Sequence, residues 1–190
     1  MIGSFTMDGK GSCVLDNNII QVFRPLIING LSNFGITADL KQNFQPTKQG
    51  ANILATVYFF KIGDKRVGSV NRDSYWDVDL EKMFYTEEQV YETTFQINAL
   101  VKQSPSVIGL TASDVVNYVS SILQSRNTID VLAGSSLSIY RISDIRNPYF
   151  LADDNNYEAN PSFDFILQHN QTITSEVPII STFESNIKQY

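Results

Sequence analysis

The chain has 190 residues, a formal net charge of −6, and a hydrophobic content of 43%. This length and apolar content favour a single domain with a sizeable core. The negative charge argues against a protein that grips nucleic acid through its surface, because phosphate binding requires clustered Lys and Arg.

The remaining composition predicts a polar but weakly charged surface. Charged residues make up 18% of the chain, below the roughly 25% of an average soluble domain. Such a surface suits protein–protein contact, although a compositional habit of the source organism explains it equally well. Cys13 is the single cysteine, which excludes an intramolecular disulfide and a cysteine-based zinc site. The start lacks signal-peptide features and no apolar run is long enough to cross a membrane, so we expect a cytosolic product.

The first elements are predicted from helical spacing. Residues 1–14 read as a glycine-rich N-terminal arm, and apolar residues then recur at helical intervals over residues 16–34. Pro25 is expected to kink or split this helix, and Gly35 to end it. Residues 36–51 are polar and read as a connector.

Two long strands are predicted in the middle of the chain. Residues 52–61 are apolar on both faces, which is typical of a central strand covered on both sides. Gly63-Asp64-Lys65 then has the composition of a tight turn, with residues 66–70 returning as a hairpin partner. Residues 89–102 alternate between apolar and polar, which predicts a second long strand with one wet face.

The C-terminal half adds a helix and two strands. Thr111 and Asp114 resemble a capping box at the start of a helix over residues 111–125. Strands are predicted at residues 137–142 and 163–173, separated by a polar loop at 144–161. Residues 174–190 read as a C-terminal arm that orders on a partner. The fold class is therefore α+β: one domain over residues 15–173 with a mostly antiparallel or mixed sheet flanked by two helices.

No residue pattern predicts catalysis, a metal site or a cofactor. His169, the only histidine, lies in phase with apolar residues of its strand, which favours a half-buried structural side chain. Asp153, Asp154 and Glu158 match no EF-hand spacing and favour a solvated acidic loop. No phosphate-binding loop is present. A carboxylate pair at Asp77 and Asp79 leaves a small hydrolase as a distant alternative.

Two parts of the chain carry a resemblance to known proteins. The first is NFQPTKQG, followed by VYFFKIGDKRVG and the Tyr75-Trp76-Asp77 end. The second is the layout of an alternating strand ending near Val101, the capped helix, the strand at Leu137–Ile142 and an Arg-Asn-Pro loop at residues 146–148. Together, over roughly residues 15–173, they resemble small neck proteins of contractile-tailed phages, known as tail-terminator, tail-completion or gateway proteins.

The resemblance implies a structural virion protein without catalytic residues or cofactors. It implies a homo-oligomeric ring, typically a hexamer, that terminates the tail tube and joins the tail to the head-side connector around the DNA path. The implied partners are further copies of the chain, the tail tube, the head–tail connector or adaptor protein, and, as a further candidate, the tail sheath protein. Viral DNA would pass through the lumen without specific binding. The implied location is the neck of the virion, with the host cytoplasm during assembly; a connector adaptor, commonly a more helical protein, is the nearest alternative.

Cations and aromatic residues in the middle of the chain provide candidate contacts between subunits. Lys61, Lys65, Arg66 and Arg72 form a local basic patch, which we interpret as ionic contacts to a neighbour, with DNA contact in a channel as the alternative. Aromatic residues near Trp76 serve either as interface anchors or as core. The candidate interface residues are Lys61, Asp64, Lys65, Arg66, Arg72, Tyr75, Trp76, Arg146, Tyr149 and Phe150.

Overall fold

A computed structural model describes residues 16–42, 55–101, 109–151 and 157–178. The elements in chain order are α1 (Asp16–Asn33), β1 (Ala38–Gln42), β2 (Ala55–Asp77), β3 (Lys82–Leu100), α2 (Ala112–Leu123), α3 (Arg126–Ala133), β4 (Leu137–Ile142), β5 (Tyr149–Leu151), β6 (Tyr157–Ala159) and β7 (Ser162–Val177). The predicted α+β class is confirmed. The predicted N-terminal arm, the NFQPTKQG segment, Asp153, Asp154 and residues 179–190 lie outside the described residues.

Five strands form one mixed sheet in the order β1-β2-β3-β7-β4, and β5 pairs with β6 in a separate two-stranded sheet. β1 runs parallel to β2, whereas the other neighbours in the large sheet are antiparallel. This agrees with the mixed, mostly antiparallel sheet expected from the sequence.

The core lies between one face of this sheet and the helices. Phe59, Ile97 and Phe163 are register partners across β2, β3 and β7, so they share a face. On the same face Phe95 and Phe165 are directly opposite, and Phe23 of α1 contacts the ring of Phe165 at a centroid distance of 5.3 Å. The apolar face of α2 is buried in the same cluster. Side chains on the opposite face, such as Tyr58 and Phe60, stay partly exposed, so β2 is not covered on both sides as expected.

The helix ends follow the predicted signals, but Pro25 does not split α1. Pro25 and Gln21 both lie on the exposed side of the helix, where water can reach the carbonyl group that lacks a partner. Gly35 adopts a φ of 74° and ends α1 in a Schellman motif, in which the Ile36 N–H donates to the Leu31 carbonyl at 3.0 Å. The Thr111–Asp114 capping box of α2 is confirmed.

Several predicted boundaries are wrong. The connector at residues 36–51 contains β1, and the segment before β4 contains α3. The polar loop at 144–161 contains β5 and β6, and β7 continues to Val177, so residues 174–177 belong to the sheet. The strands among these elements are short or lie at strand ends, where pairing with a neighbouring strand decides the outcome more than local sequence does.

The hairpin turn between β2 and β3 lies at a different place from the one predicted. β2 does not turn at Gly63-Asp64-Lys65 but continues to Asp77, with an irregularity in its register between Lys61 and Gly63. The turn lies at residues 78–81, where the Asp77 carboxylate accepts the N–H groups of Asp79 and Leu80, each at 3.0 Å. Glycine is also typical of a β-bulge, which explains why the turn prediction was made at the wrong place.

Candidate assembly surface

Three strands extend beyond the helices as a ribbon, which we define as residues 66–91 of β2 and β3 with residues 170–177 of β7. Along β3 from the core toward the tip, Thr93 is the last fully buried side chain. No side chain between Lys82 and Tyr91 is buried. β1 pairs only as far as Phe59 of β2, and β4 pairs only as far as His169 of β7. At about 3.4 Å per residue, β3 carries the ribbon about 30 Å beyond the core.

The tip of the ribbon is apolar and aromatic on both faces. Val78 and Leu80 in the turn are 77% and 58% exposed. Trp76, half exposed, lies opposite Met83, which in turn lies opposite Val177. On the other face Tyr75 stacks on Phe84 at a centroid distance of 5.6 Å. Grouped exposed apolar side chains of this kind mark surfaces for protein contact.

The tip is also acidic. Carboxylates surround the apolar side chains, and one of them, Glu176, is paired with Lys82 at 2.9 Å. The other acidic residues near the turn are Asp73, Asp77, Asp79 and Glu81. A partner surface for this tip would therefore combine apolar contacts with positive charge.

A polar network lies at the base of the ribbon, where the helices end. Lys61 Nζ contacts Asp16 Oδ1 at 2.9 Å and Asp64 Oδ2 at 2.7 Å. Thr93 Oγ1 donates to Asp64 Oδ1 at 2.7 Å and lies 3.0 Å from His169 Nε2. The network thus joins the start of α1 to β2, β3 and β7.

The network determines the protonation of His169. Because the Thr93 hydroxyl proton is donated to Asp64, the Thr93 oxygen accepts from His169 Nε2–H, which leaves Nδ1 unprotonated. Nδ1 is buried and has no partner among the described residues. Burial lowers the pKa of His169, with the charge of Asp64 opposing and that of Lys61 reinforcing the shift. The half-buried structural role expected for His169 agrees with this geometry.

The two charged partners in the network are shifted in the directions of an ion pair. Burial alone would lower the pKa of Lys61, but hydrogen bonds to Asp64 and Asp16 outweigh it and raise the pKa. Burial would likewise raise the pKa of Asp64, but hydrogen bonds from Lys61 and Thr93 hold it below its usual value. Both groups therefore stay charged near neutral pH.

The positive charge of the predicted basic patch is largely balanced by carboxylates of the same chain. Lys65 lies 3.7 Å from Glu92, Arg72 Nε lies 3.0 Å from Glu87, and Arg66 lies over the ring of Tyr91 at 5.8 Å. Because Lys61 is held by Asp16 and Asp64, each of the four cations has a partner in its own chain. Ionic contacts of these side chains with a neighbouring subunit, as interpreted from the sequence, would have to compete with these partners within the chain.

The ten predicted interface residues do not lie together in the structure. Seven lie on β2: Lys61, Asp64, Lys65, Arg66, Arg72, Tyr75 and Trp76. Arg146 lies at the opposite end, where it pairs with Asp164 at 2.6 Å and bridges to Ser162, the first residue of β7. The backbones of Tyr149 and Phe150 belong to β5.

The sequence analysis missed the apolar residues that complete the tip, among them Val78, Leu80, Met83 and Val177. Residues 66–77 show no regular alternation of polar and apolar side chains and include several turn-type residues, so the local sequence contains no clear signal that β2 continues through them.

The remaining candidate sites are not assembled in the described ranges. Asp77 uses a carboxylate oxygen to hold its own turn, which is a structural role. Within residues 16–42, 55–101, 109–151 and 157–178, no three His, Cys, Asp or Glu side chains are placed to hold a metal ion. Over the same part of the chain, every helix is too short or too polar to span a membrane.

Comparison with known proteins places the sequence in a family. A family model described as E217 gateway protein gp29 matches residues 18–179, which include nearly all the described elements. No curated protein matches the sequence. A solved structure of a PVC sheath/tube terminator, from an extracellular contractile injection system in its extended state, is similar with 11% identity and a TM-score of 0.48. That likeness covers 94% of this chain and 65% of the other.

Proposed function

Because the chain belongs to the E217 gateway protein gp29 family, we propose that it is a structural protein of a phage neck. In this proposal several copies, six in the typical arrangement, form a ring that ends the tail tube. The ring also joins the tail to the head-side connector around the DNA path. The observation that carries the proposal is the family match over residues 18–179.

The ribbon supports assembly through protein contacts. A solitary domain gains little from an exposed apolar tip about 30 Å beyond its core, because the tip buries no core surface. A ring needs two different surfaces on each copy, since head-to-tail contacts are heterologous. The tip and the Arg146 end of the sheet are two such separate surfaces, and we propose that both make contacts between subunits or between rings.

The charge of the chain supports passage of DNA without specific binding. The net charge is −6, and Lys61, Lys65 and Arg72 of β2 are paired with carboxylates of the same chain. A lumen lined by such a surface repels phosphates and leaves DNA free to slide. We expect the purified protein to show no measurable affinity for duplex DNA at physiological salt.

A role without catalysis is part of the proposal. The carboxylate of Asp77 is engaged in its turn, which disfavours the hydrolase alternative built on Asp77 and Asp79. Secondary-structure content disfavours the connector-adaptor alternative. Adaptors are commonly more helical, whereas more of the described residues lie in strands than in helices. The partners in this proposal are further copies, the tail tube and its sheath, and the connector or adaptor; the location is the virion neck, after assembly in the host cytoplasm.

Mass measurement and electron microscopy of the purified protein test the proposal. We expect particles of several copies with a central opening, and the same ring at the head–tail junction of virions. The Trp76→Ser variant should lose assembly while its far-ultraviolet circular dichroism stays unchanged. Tyr140→Ser is the matched control, since Tyr140 is 63% exposed on β4 outside the ribbon. A stable monomer in solution and its absence from virion necks would overturn the proposal.

A further inference from the structure

The outer edge of β7 is open along the ribbon. β4 pairs with β7 from Phe165 to His169 and goes no further. Beyond His169, residues 170–177 have β3 on one side and, among the residues that the structure describes, no strand on the other. An edge of this kind presents a row of unpaired N–H and C=O groups, which is a template for an added strand.

The other edge of the ribbon, formed by β2, is irregular. It is therefore a poorer template for an added strand than the β7 edge. The register of β2 shifts between Lys61 and Gly63 and again between Val67 and Asn71, and Gly68 adopts a φ of 72°. Such irregularities bend a strand and hinder pairing with another chain. In contrast, β7 pairs with β3 without a shift from Ser162 to Val177. Its exposed part, NQTITSEV, has one charged residue and no proline, so nothing in it blocks pairing.

The segment that follows β7 has the right length to fill an edge of this size. Residues 179–190 begin directly after Pro178, at the tip of the ribbon. Fully extended, they reach about 40 Å, of which about 26 Å would match the eight residues of the edge. Ile179, Phe183 and Ile187 recur at even intervals, so in a strand they would share one face, as do Ile173 and Val177 on β7.

The turn chemistry indicates that this segment pairs with another copy rather than with its own β7. A tight return after Val177 needs residues that accept a positive φ, such as Gly, Asn or Asp. The sequence instead continues with Pro178-Ile179-Ile180. Proline fixes φ near −65°, and β-branched residues disfavour positive φ. A tight return of the chain onto the edge of its own β7 is therefore disfavoured.

We propose that residues 179–190 of one copy add a strand to the edge formed by residues 170–177 of a second copy. This inference rests on the proposed self-assembly and assigns it a contact. The donated segment and the accepting edge are different surfaces, so the contact is head-to-tail and can close into a ring.

Hydrogen exchange of the full chain tests this contact. Thr182→Pro with Ser185→Pro places prolines at positions of opposite parity, so at least one removes an N–H that the added ladder needs. Thr182→Ala with Ser185→Ala is the matched control, since it keeps both N–H groups. We expect the outward amides of residues 170–177 to exchange at least about tenfold faster in the proline variant than in the alanine variant. The amides of residues 72–76 on the β2 edge should be the same in both.

The outcomes separate this inference from the proposed function. Equal exchange of residues 170–177 in both variants, with assembly intact, overturns the inference and leaves the ring proposal standing. Protection that persists in dilute monomer also overturns it, because it would mean pairing within one copy. A chain that is monomeric at every concentration overturns this inference for the free protein, and its absence from virion necks as well overturns the ring proposal. Should the proline variant lose its circular dichroism spectrum, a chain ending at Pro178 makes the same comparison with the full chain, because it removes none of the described residues.

Discussion

Replacing Thr93 by Val tests the polar network at the base of the ribbon. Thr93 is fully buried, and its hydroxyl donates to the Asp64 carboxylate at 2.7 Å. It also accepts from His169 Nε2 at 3.0 Å. A hydrogen bond to a charged group is worth about 1.5–3 kcal/mol, and the partly exposed Asp64 puts this one near the lower limit. Losing the His169 partner adds about 1 kcal/mol, so we expect a destabilisation of about 2–3 kcal/mol.

Thr86→Val is the matched control on the same strand. The Thr86 hydroxyl oxygen is buried and has no hydrogen-bond partner among the described residues. Exchanging it for a methyl group removes an unsatisfied polar atom, so the variant should be unchanged or more stable by up to about 1 kcal/mol. The same chemical change is thus expected to act in opposite directions at two positions of β3.

Urea unfolding followed by circular dichroism measures both variants. The denaturant slope should stay constant, so that midpoint shifts report stability. Both variants and the parent must be compared at one protein concentration, because self-association raises apparent stability by mass action. Unfolding free energies of Thr93→Val and Thr86→Val within about 0.5 kcal/mol of each other would refute the role of the network, since the hydroxyl of Thr93 would then contribute nothing specific.

Two further variants test other parts of the fold. The lowered pKa of His169 means that the unfolded chain takes up this proton first, so stability should be full above about pH 6.5 and fall as the pH drops below it. His169→Gln should flatten this part of the stability–pH curve. An unchanged slope would contradict a lowered pKa of His169 as its cause. A Cβ on Gly30 would lie 2.7 Å from Ile122 Cδ1 where α1 meets α2, so Gly30→Ala should cost about 1–3 kcal/mol in unfolding free energy. Gly134→Ala, whose Cβ would meet ordinary contacts, should cost nothing, and equal effects of the two substitutions would show that the α1–α2 approach is not tight.

Strongly periodic segments of the fold could be predicted from the sequence. The helix over residues 16–34, the capped helix and β4 were predicted within two residues of their observed bounds, because each has a clear period and end signals. β1 could not be predicted, since it is five residues long and is stabilised by pairing with β2. The place of the β2–β3 turn was mispredicted because Gly63 suits a bulge as well as a turn.

The candidate surface was predicted in part. Tyr75 and Trp76 were selected as aromatic anchors, and both are exposed at the ribbon tip. Lys61, Lys65 and Arg72 were selected as ionic contacts to a neighbour, but their carboxylate partners Asp16, Glu92 and Glu87 lie on other elements of the same chain. Pairings of that kind depend on strand register, which a single sequence does not specify.

The sequence alone determined the α+β class and the lack of a recognisable catalytic motif. It also determined the apolar face of α1 and the alternation of β3, because the side-chain period is a local property. Only the tertiary structure decided how far β2, β3 and β7 run together past the core, and which edge of that ribbon is open. These features depend on where β1 and β4 stop pairing and where bulges interrupt β2, and both are fixed by contacts between residues distant in sequence.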